Sequence, residues 1–524
     1  MDEHHEEHTE AIPRNSLPLM LLAFSLVLFG VVVRSVQYLH YRALFHDEAV
    51  LASNVLDRSF RELFLPYGDS MAPGLYMALS KVPLSLGGIN EYAARSVPFI
   101  GGLLLLLVFY PVARKLTSQH AAVMALAFLV VSKYLIEFSD FVRPYSTDAL
   151  VAVLLIALAL IADTDKPSWI RSGLFAVLGA VSIWFSYPAV FVLAGIVLVQ
   201  LVYIPIDRNI AKLTHLVPLW TCWGASFAAF YWFSIRTIHA DEDTISLMTD
   251  FYEYANAFMP LPPTSFTDLK WFNFHSIKTF DYPGGLTVPG LAAFAFILGC
   301  ISMFKRNKKH LAYLLAPIAM VLLASGLERY PFWARTILWL TPILYILIGE
   351  GIASLRDNLN NPGKVVSAVL LAMLLFVPGV RAIRYIPNPS THHELNKALD
   401  HISENWKEDD ILYIRLDDAD AFRFCRWKYV FPEEQLLIES KLDLSETEEE
   451  TFWEQNKTLL KESSRVWFAM AYDFPDHLTP FLEILDADGD RTAEQHFLGA
   501  SAYQYTFRCP PTSVRDLNPD TSHL

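Results

Sequence analysis

The sequence predicts an α-helical polytopic membrane protein with a small C-terminal α/β domain outside the membrane. Three observations predict it. Hydrophobic residues make up 53 % of the 524-residue chain and charged residues 18 %, against about 25 % charge in a soluble domain. Long uncharged runs recur, among them VPFIGGLLLLLVFYPVA and ALVAVLLIALALIA. Roughly 20 such residues cross the hydrocarbon core, and their recurrence goes beyond a signal peptide. After Pro389 the chain changes to mixed charge and short apolar runs.

Residues 1–16 read as an acidic, solvated cytoplasmic tail, MDEHHEEHTE first. His4, His5 and His8 of that tail are compatible with metal, but the solvated reading accounts for them. Hydropathy then places about eleven spans, over 17–37, 92–113, 119–137, 145–162, 169–186, 188–205, 213–235, 286–304, 310–326, 332–354 and 365–385. Only SYP separates the fifth from the sixth, and their joint length is too great for one crossing. Lys and Arg of the short loops (Arg114, Lys115, Lys166, Arg208, Lys212, Lys305, Arg306, Lys308, Lys309, Arg356, Lys364) fall in alternate connections. The positive-inside rule makes those cytoplasmic, with the N-terminus. The residues from 386 onward are then extracytoplasmic.

That last region, 386–524, reads as one α/β domain. ILYIRL, RVWFAMA and SAYQYTF have strand character; ELNKALDHISENW and DADAFRFCRWKY have helical character. Of four cysteines, Cys222 and Cys300 lie in apolar runs, and Cys425 and Cys509 could pair in an oxidising compartment. The formal net charge of −14 argues against nucleic acid as a partner.

The distinctive polar clusters fall on one side of this topology, which a shared site would require. The first is HDE (46–48). Ala49, Ala52, Val55, Leu56 and Phe60 follow at helical spacing, which predicts a helix lying at the membrane interface with its polar face up. Asp47 is either the N-cap of that helix or a carboxylate placed to take a proton from an acceptor hydroxyl. Neighbouring helical residues diverge by about 100°, so Asp47 and Glu48 do not chelate as a pair. In EFSDFVRPYSTD (137–148), Asp140 and Arg143 are either a surface ion pair or a second carboxylate with a cation for phosphate. Asp148 there offsets the helix dipole. In ERYPFWARTILWL, Arg335 falls about one turn inside the tenth span, where a charge needs a partner or a cavity. Guanidinium geometry suits phosphate; snorkelling is the alternative. Arg329, in the loop itself, is less informative; Arg95, Lys81 and Arg34 near the outer helix ends either line the same basic mouth or anchor their helices. The aromatics of 236–285 read mainly as interfacial anchors.

Taken together these stretches resemble the GT-C superfamily of polytopic membrane glycosyltransferases, and within it the bacterial dolichyl-phosphate-mannose protein mannosyltransferase-like (PMT/ArnT-like) group. The resemblance covers about residues 17–385. It rests on Asp47 and Glu48, APGLY (72–76), EYAARSVPFIGG (91–102), DFVRPY (140–145) and RYPFWARTILWLTP (329–342). It implies transfer of a sugar from a polyprenyl-phosphate donor to a protein, lipid or surface-glycan acceptor on the extracytoplasmic side of a bacterial inner membrane. It further implies Asp47, Glu48 and Asp140 as catalytic residues, with Asp47 as base or metal-associated residue. His46, Arg95, Arg143, Tyr145, Arg329 and Arg335 are the candidate substrate-binding residues. A divalent Mg or Mn ion at Asp47 and Asp140 is the cofactor to test. The family often has a His-Pro-Pro-type sequence where this chain has Met-Ala-Pro-Gly. A polysaccharide polymerase or ligase would share this architecture. A non-enzymatic transporter of lipid-linked sugar would instead place its charges near the bilayer midplane.

Overall fold

Among the described residues helix carries the long apolar runs, because in a bilayer each backbone N–H and C=O has to be bonded within its own segment. The computed structural model describes residues 17–65, 72–162, 168–207, 212–236, 252–391, 393–438, 465–471 and 475–507. The expectations placed on the N-terminal tail and on Cys509 lie outside them. The described residues divide into two units. The first comprises Met1–His40, Leu51–Gly88 and Tyr92–Ser390; the second comprises Tyr41–Val50, Ile89–Glu91 and Thr391–Leu524.

In the first unit the helices are α1 (Leu17–Leu39), α2 (His46–Asp57, whose first turn belongs to the second unit), α3 (Gly74–Gly87), α4 (Glu91–Leu116), α5 (Gln119–Val131), α6 (Lys133–Glu137), α7 (Tyr145–Ala162), α8 (Trp169–Phe185), α9 (Ala189–Asp207) and α10 (Leu213–Phe230). They continue with α11 (Phe266–Asp281), α12 (Pro289–Arg306), α13 (Lys308–Gly326), α14 (Thr341–Asn358) and α15 (Asn360–Arg384). Among the described residues eight helices are long and apolar enough to cross a membrane, or nine when α5 and the segment from α6 to Asp140, bent by 61°, count as one broken span. The chain is an integral membrane protein. α8 and α9 are separate helices, as the SYP break predicts.

Helix α14 is buried along most of its length and packs against α12, α5 and α15. Gly299 of α12 and Gly351 of α14 allow that crossing, since a Cβ on either would strike the other helix's backbone. Glu350, buried on α14, is held by Arg306 Nη1 at 2.9 Å and by the Ser302 hydroxyl at 2.9 Å.

Two sequence expectations change here. Arg34 and Lys81 do not line a basic mouth. Arg34 is buried and donates to the carbonyls of Leu129 (3.2 Å) and Val130 (3.4 Å) at the end of α5. Lys81 donates to Val55 (2.8 Å) and Leu56 (2.9 Å) at the end of α2. Both satisfy helix C-terminal carbonyls that would otherwise be orphaned. Nor does α2 present a polar upper face: Ala49, Leu51, Ala52, Ser53, Asn54 and Val55 are all buried, and Phe60 is exposed beyond the helix end.

The second unit is built on a five-stranded sheet of order β2-β1-β3-β5-β4. The strands are β1 (Asp410–Ile414), β2 (Leu436–Ile438), β3 (Arg465–Met470), β4 (Gly489–Phe497) and β5 (Ala500–Phe507). β1 runs parallel to β2 and β3, with Leu412 opposite Leu436 and Trp467; β5 is antiparallel to β3 and β4. Helices α16 (Leu395–Glu404), α17 (Leu416–Cys425) and α18 (Pro475–Asp488) complete the unit. Tyr413, Val466, Phe468, Met470, Leu485 and Tyr505 form its core. Asp410, fully buried, accepts from Trp467 Nε1 at 2.9 Å and faces Arg465 at 3.1 Å. Glu91 accepts from Tyr41 Oη (2.8 Å) and Trp427 Nε1 (3.1 Å), which ties the unit's separate chain segments together. Burial and the Glu91 carboxylate raise the Tyr41 phenol well above its ordinary value.

Candidate functional site

The break between α5 and α6 shapes the site in the first unit. Ser132 lies at the break and caps α6. The Tyr345 hydroxyl sits 2.9 Å from Ser132 Oγ and 2.9 Å from the Gly284 carbonyl, so helix α14 holds the break and the 282–285 turn together. A 3-10 turn, Phe138–Asp140, follows α6, and the chain re-enters helix at Tyr145 behind Pro144. Proline suits that entry, since its missing N–H costs no bond there.

Asp140 is fully buried, and its Oδ1 lies 4.0 Å from Nε of Arg95, itself 3 % exposed. The sequence left Asp140 and Arg143 as either a surface ion pair or a second carboxylate with a cation for phosphate; burial removes the surface reading for Asp140, which meets an arginine of α4 in the interior. Glu137, three residues earlier, accepts from the Tyr385 hydroxyl at 2.7 Å and the Ser390 hydroxyl at 3.0 Å, with Lys133 Nζ at 3.9 Å. Gln37 bonds the Ser390 backbone in both directions, at 2.7 and 2.9 Å.

Arg335 is the second residue of a 3-10 segment, Ala334–Leu340, that leads into α14. It stands at the segment's entrance rather than a full turn inside. Its predecessor Ala334 has φ 48°, a left-handed conformation that L residues seldom adopt without a reason. The guanidinium lies over the Tyr145 ring, 5.8 Å from its centroid. Tyr282, in the turn after α11, stacks near Tyr134 at 4.3 Å. Burial pushes the Tyr282 phenol up to about 12, with Arg335 opposing the rise.

A neighbouring set of tyrosines lies close by. Burial raises the phenol of Tyr187, in the break between α8 and α9; Asp148 adds to the rise and Arg143 opposes it. Burial likewise raises Tyr330, again with Asp148, and with Tyr252, Tyr145 and Tyr187 adding to it. Tyr330 donates to the Thr336 carbonyl at 2.8 Å. Asp148 and Ser186 are both buried, with the Ser186 side chain beside the Asp148 carboxylate. Three of the four polar clusters singled out in the sequence thus meet in the first unit: 137–148, 328–335, and Tyr252 and Tyr282 from 236–285. Tyr187, Tyr282, Tyr330 and Glu137 were not singled out, because a tyrosine beside an apolar run also reads as an interfacial anchor.

Arg329 is exposed on the turn after α13, its N–H donating to Ala324 O at 2.9 Å. His46 and Asp47 open α2, both half-buried. Asp47 therefore lies within the first turn instead of capping it. Glu48 is fully buried, accepts the Phe45 N–H at 3.0 Å and lies 3.6 Å from Arg42 Nη1. It closes the helix start as the third residue of a capping arrangement does.

Among the described residues no three His, Cys, Asp or Glu side chains gather as a metal-holding group. Asp140 already faces a guanidinium. No step is assigned to a metal.

No protein-family model matches the sequence, and no curated protein matches it by sequence. Solved structures do. ArnT from Cupriavidus metallidurans in the apo state aligns with TM-score 0.55 and 15 % identity over 94 % of this chain and 98 % of that one. The same protein bound to undecaprenyl phosphate aligns with TM-score 0.52 and 13 % identity, over 93 % and 98 %. The Archaeoglobus fulgidus oligosaccharyltransferase in complex with Zn and sulfate aligns with TM-score 0.51 and 12 % identity, over 93 % of this chain and 73 % of that one. At these identities the likeness is one of fold, and the fold is GT-C-like along nearly the whole chain.

Proposed function

We propose that the chain is a membrane glycosyltransferase that takes its sugar from a polyprenyl-phosphate donor. The observation that carries this reading is the Arg335–Tyr145 pair. A guanidinium held at the mouth of an apolar helix bundle by aromatic rings is suited to a lipid phosphate. The likeness to a transferase solved with undecaprenyl phosphate supports the same donor class.

In the transfer, the acceptor oxygen forms a bond to the anomeric carbon while the bond from that carbon to the phosphate oxygen breaks. The acceptor's proton goes to a base, and the leaving group departs as polyprenyl phosphate. Arg335, with Arg143 as a second cation, stabilises the charge that develops on that phosphate. Family resemblance assigns the proton to Asp47, by its place in the sequence. Glu48 is engaged with Phe45 and Arg42 and supports the helix start. Loop charge supports placing the N-terminus and the Lys305–Lys309 connection in the cytoplasm and the second unit outside.

The test is consumption of a labelled polyprenyl-phosphate sugar by the purified protein, compared with Arg335→Ala and Asp47→Asn. Loss of turnover in both, with folding intact, supports the reading. Full turnover in both removes it.

A further inference from the structure

Beside the end of α8 the first unit carries a groove of ≈ 560 Å³ lined by Phe64, Leu65, Leu75, Val181, Trp184 and Phe233. That volume is in the range of small-molecule sites, roughly 300–1,000 Å³. Its spacing is set at Gly74, where a Cβ would meet the Phe64 ring and the Leu63 carbonyl. The indole N–H of Trp184 is already donated to Ser226 Oγ at 3.2 Å. One charged side chain lines the groove, Arg61. Neighbouring cations are engaged: Arg58 donates to the carbonyls of Glu62 and Leu65, and Lys81 to those of Val55 and Leu56. Arg61 is exposed and has no ion-pair partner among the described residues. Val181 and Phe233 belong at once to the groove and to an exposed apolar surface shared with Leu174, Val177 and Trp232. On a membrane protein that surface faces lipid.

We propose that this groove seats an acyl chain of an anionic bilayer phospholipid, with the lipid's phosphate on Arg61. An apolar trough with one guanidinium at its edge complements a hydrocarbon chain bearing one phosphate. Among the described lining residues no uncommitted hydrogen-bonding side chain is present besides Arg61, so the groove offers one cation and hydrocarbon, not a set of partners for sugar hydroxyls. That favours a plain phospholipid over a glycosylated donor. The seat also bears on the break between α8 and α9. Trp184 meets Phe230 edge-on at 5.4 Å, and Phe230 lies 5.8 Å from Tyr187. A chain packed on Trp184 supports that break through two ring contacts. The proposal is independent of the glycosyl-transfer reading.

The test is lipid binding to the purified, delipidated full chain, measured by native mass spectrometry. The probes are phosphatidylglycerol, phosphatidylcholine with the same acyl chains, and bare undecaprenyl phosphate. Wild type is expected to hold phosphatidylglycerol about five-fold more tightly than phosphatidylcholine, the scale of one basic residue at an anionic headgroup. Arg61→Gln should retain chain binding and lose the preference. Val181→Trp should fill the groove and weaken both lipids, with Leu75→Trp as the alternative filler if the first variant unfolds. Equal affinity for the two phospholipids, or a preference that survives Arg61→Gln, overturns the proposal. So does binding unaffected by either filler, or displacement of phosphatidylglycerol by undecaprenyl phosphate at lower concentration.

Discussion

The Arg335 guanidinium lies over the ring of Tyr145, 5.8 Å from its centroid. The two residues come from the entrance to α14 and the first turn of α7, segments far apart in sequence. A cation over an aromatic face is worth about 0.5–2 kcal/mol depending on desolvation, and the planar fork of a guanidinium matches phosphate geometry. Arg335→Ala should therefore weaken binding of polyprenyl phosphate by roughly ten- to a hundred-fold, the scale of a lost charge-assisted hydrogen bond of about 1.5–3 kcal/mol. Arg335→Lys keeps the charge without the fork and should fall between. Tyr145→Phe keeps the ring and should bind almost as wild type. Isothermal or fluorescence titration in one detergent checks all three; equal affinities with normal thermal stability would return Arg335 to a snorkelling role.

The buried pair of Asp140 and Arg95 gives a stability prediction. Asp140→Asn leaves the Arg95 charge without its carboxylate in the interior, which costs about 3–5 kcal/mol when a buried pair is broken. Adding Arg95→Gln should recover much of that loss. Thermal unfolding of the single and double variants decides it. A double variant as damaged as the sum of the singles would mean that the two side chains do not work as a pair.

Glu137 ties the end of α15 to α6 through Tyr385 and Ser390. Glu137→Ala should lower stability by about 2 kcal/mol, because it strands the buried Tyr385 hydroxyl and the half-buried Ser390 hydroxyl. Glu137→Gln keeps an acceptor and should lose less than half as much. Protection of backbone amides at 385–390 in hydrogen exchange should fall in the alanine variant alone.

Much of this was legible in the sequence. Long uncharged runs located the spans, SYP located the α8–α9 break, and strand-like runs located β1, β3 and β5. β2 was missed because it is three residues long, and the helix Pro475–Asp488 because its apolar residues are interrupted by Pro and acids. At the site, DFVRPY and RYPFWAR were legible as polar breaks beside apolar runs. The partner choices were not. Asp140 meets Arg95 of α4, a partner that local spacing does not reveal, and Arg34 and Lys81 serve helix ends. Local spacing ranks near neighbours, while long-range packing decides which cation a buried carboxylate meets.

His275 supplies a pH dependence. It is buried on α11, stacked on Trp271 at 4.3 Å with Trp333 at 5.6 Å. Burial lowers its pKa to about 4, with the Asn256 and Phe332 backbone opposing. The unfolded chain holds the proton up to the ordinary value near 6.5. Its contribution to stability is complete above that value and is lost as pH falls through about 4. The slope of melting temperature against pH between about 6.5 and 4 should flatten in His275→Phe, which keeps the stacking. An unchanged slope would assign the dependence to other groups.

Asp47 and Glu48 should separate cleanly. Asp47→Asn should fold normally and cut turnover by about 10² or more, the usual scale for a general base. Glu48→Ala should act first on stability, since its carboxylate closes the start of α2. Turnover and melting temperature measured on the same preparations distinguish them. An Asp47→Asn variant with full turnover would leave the base elsewhere.

The most direct measurement follows the donor itself. Purified protein in liposomes is given polyprenyl-phosphate sugar labelled on the sugar, with a membrane extract as the acceptor source, and the label is followed after separation of lipid from product. The account predicts that the label leaves the lipid, that free polyprenyl phosphate appears in equal amount, and that Arg335→Ala slows both together. Intact donor appearing in the opposite leaflet with no sugar released, at the same rate in wild type and Arg335→Ala, would contradict it and identify a transporter on a transferase fold.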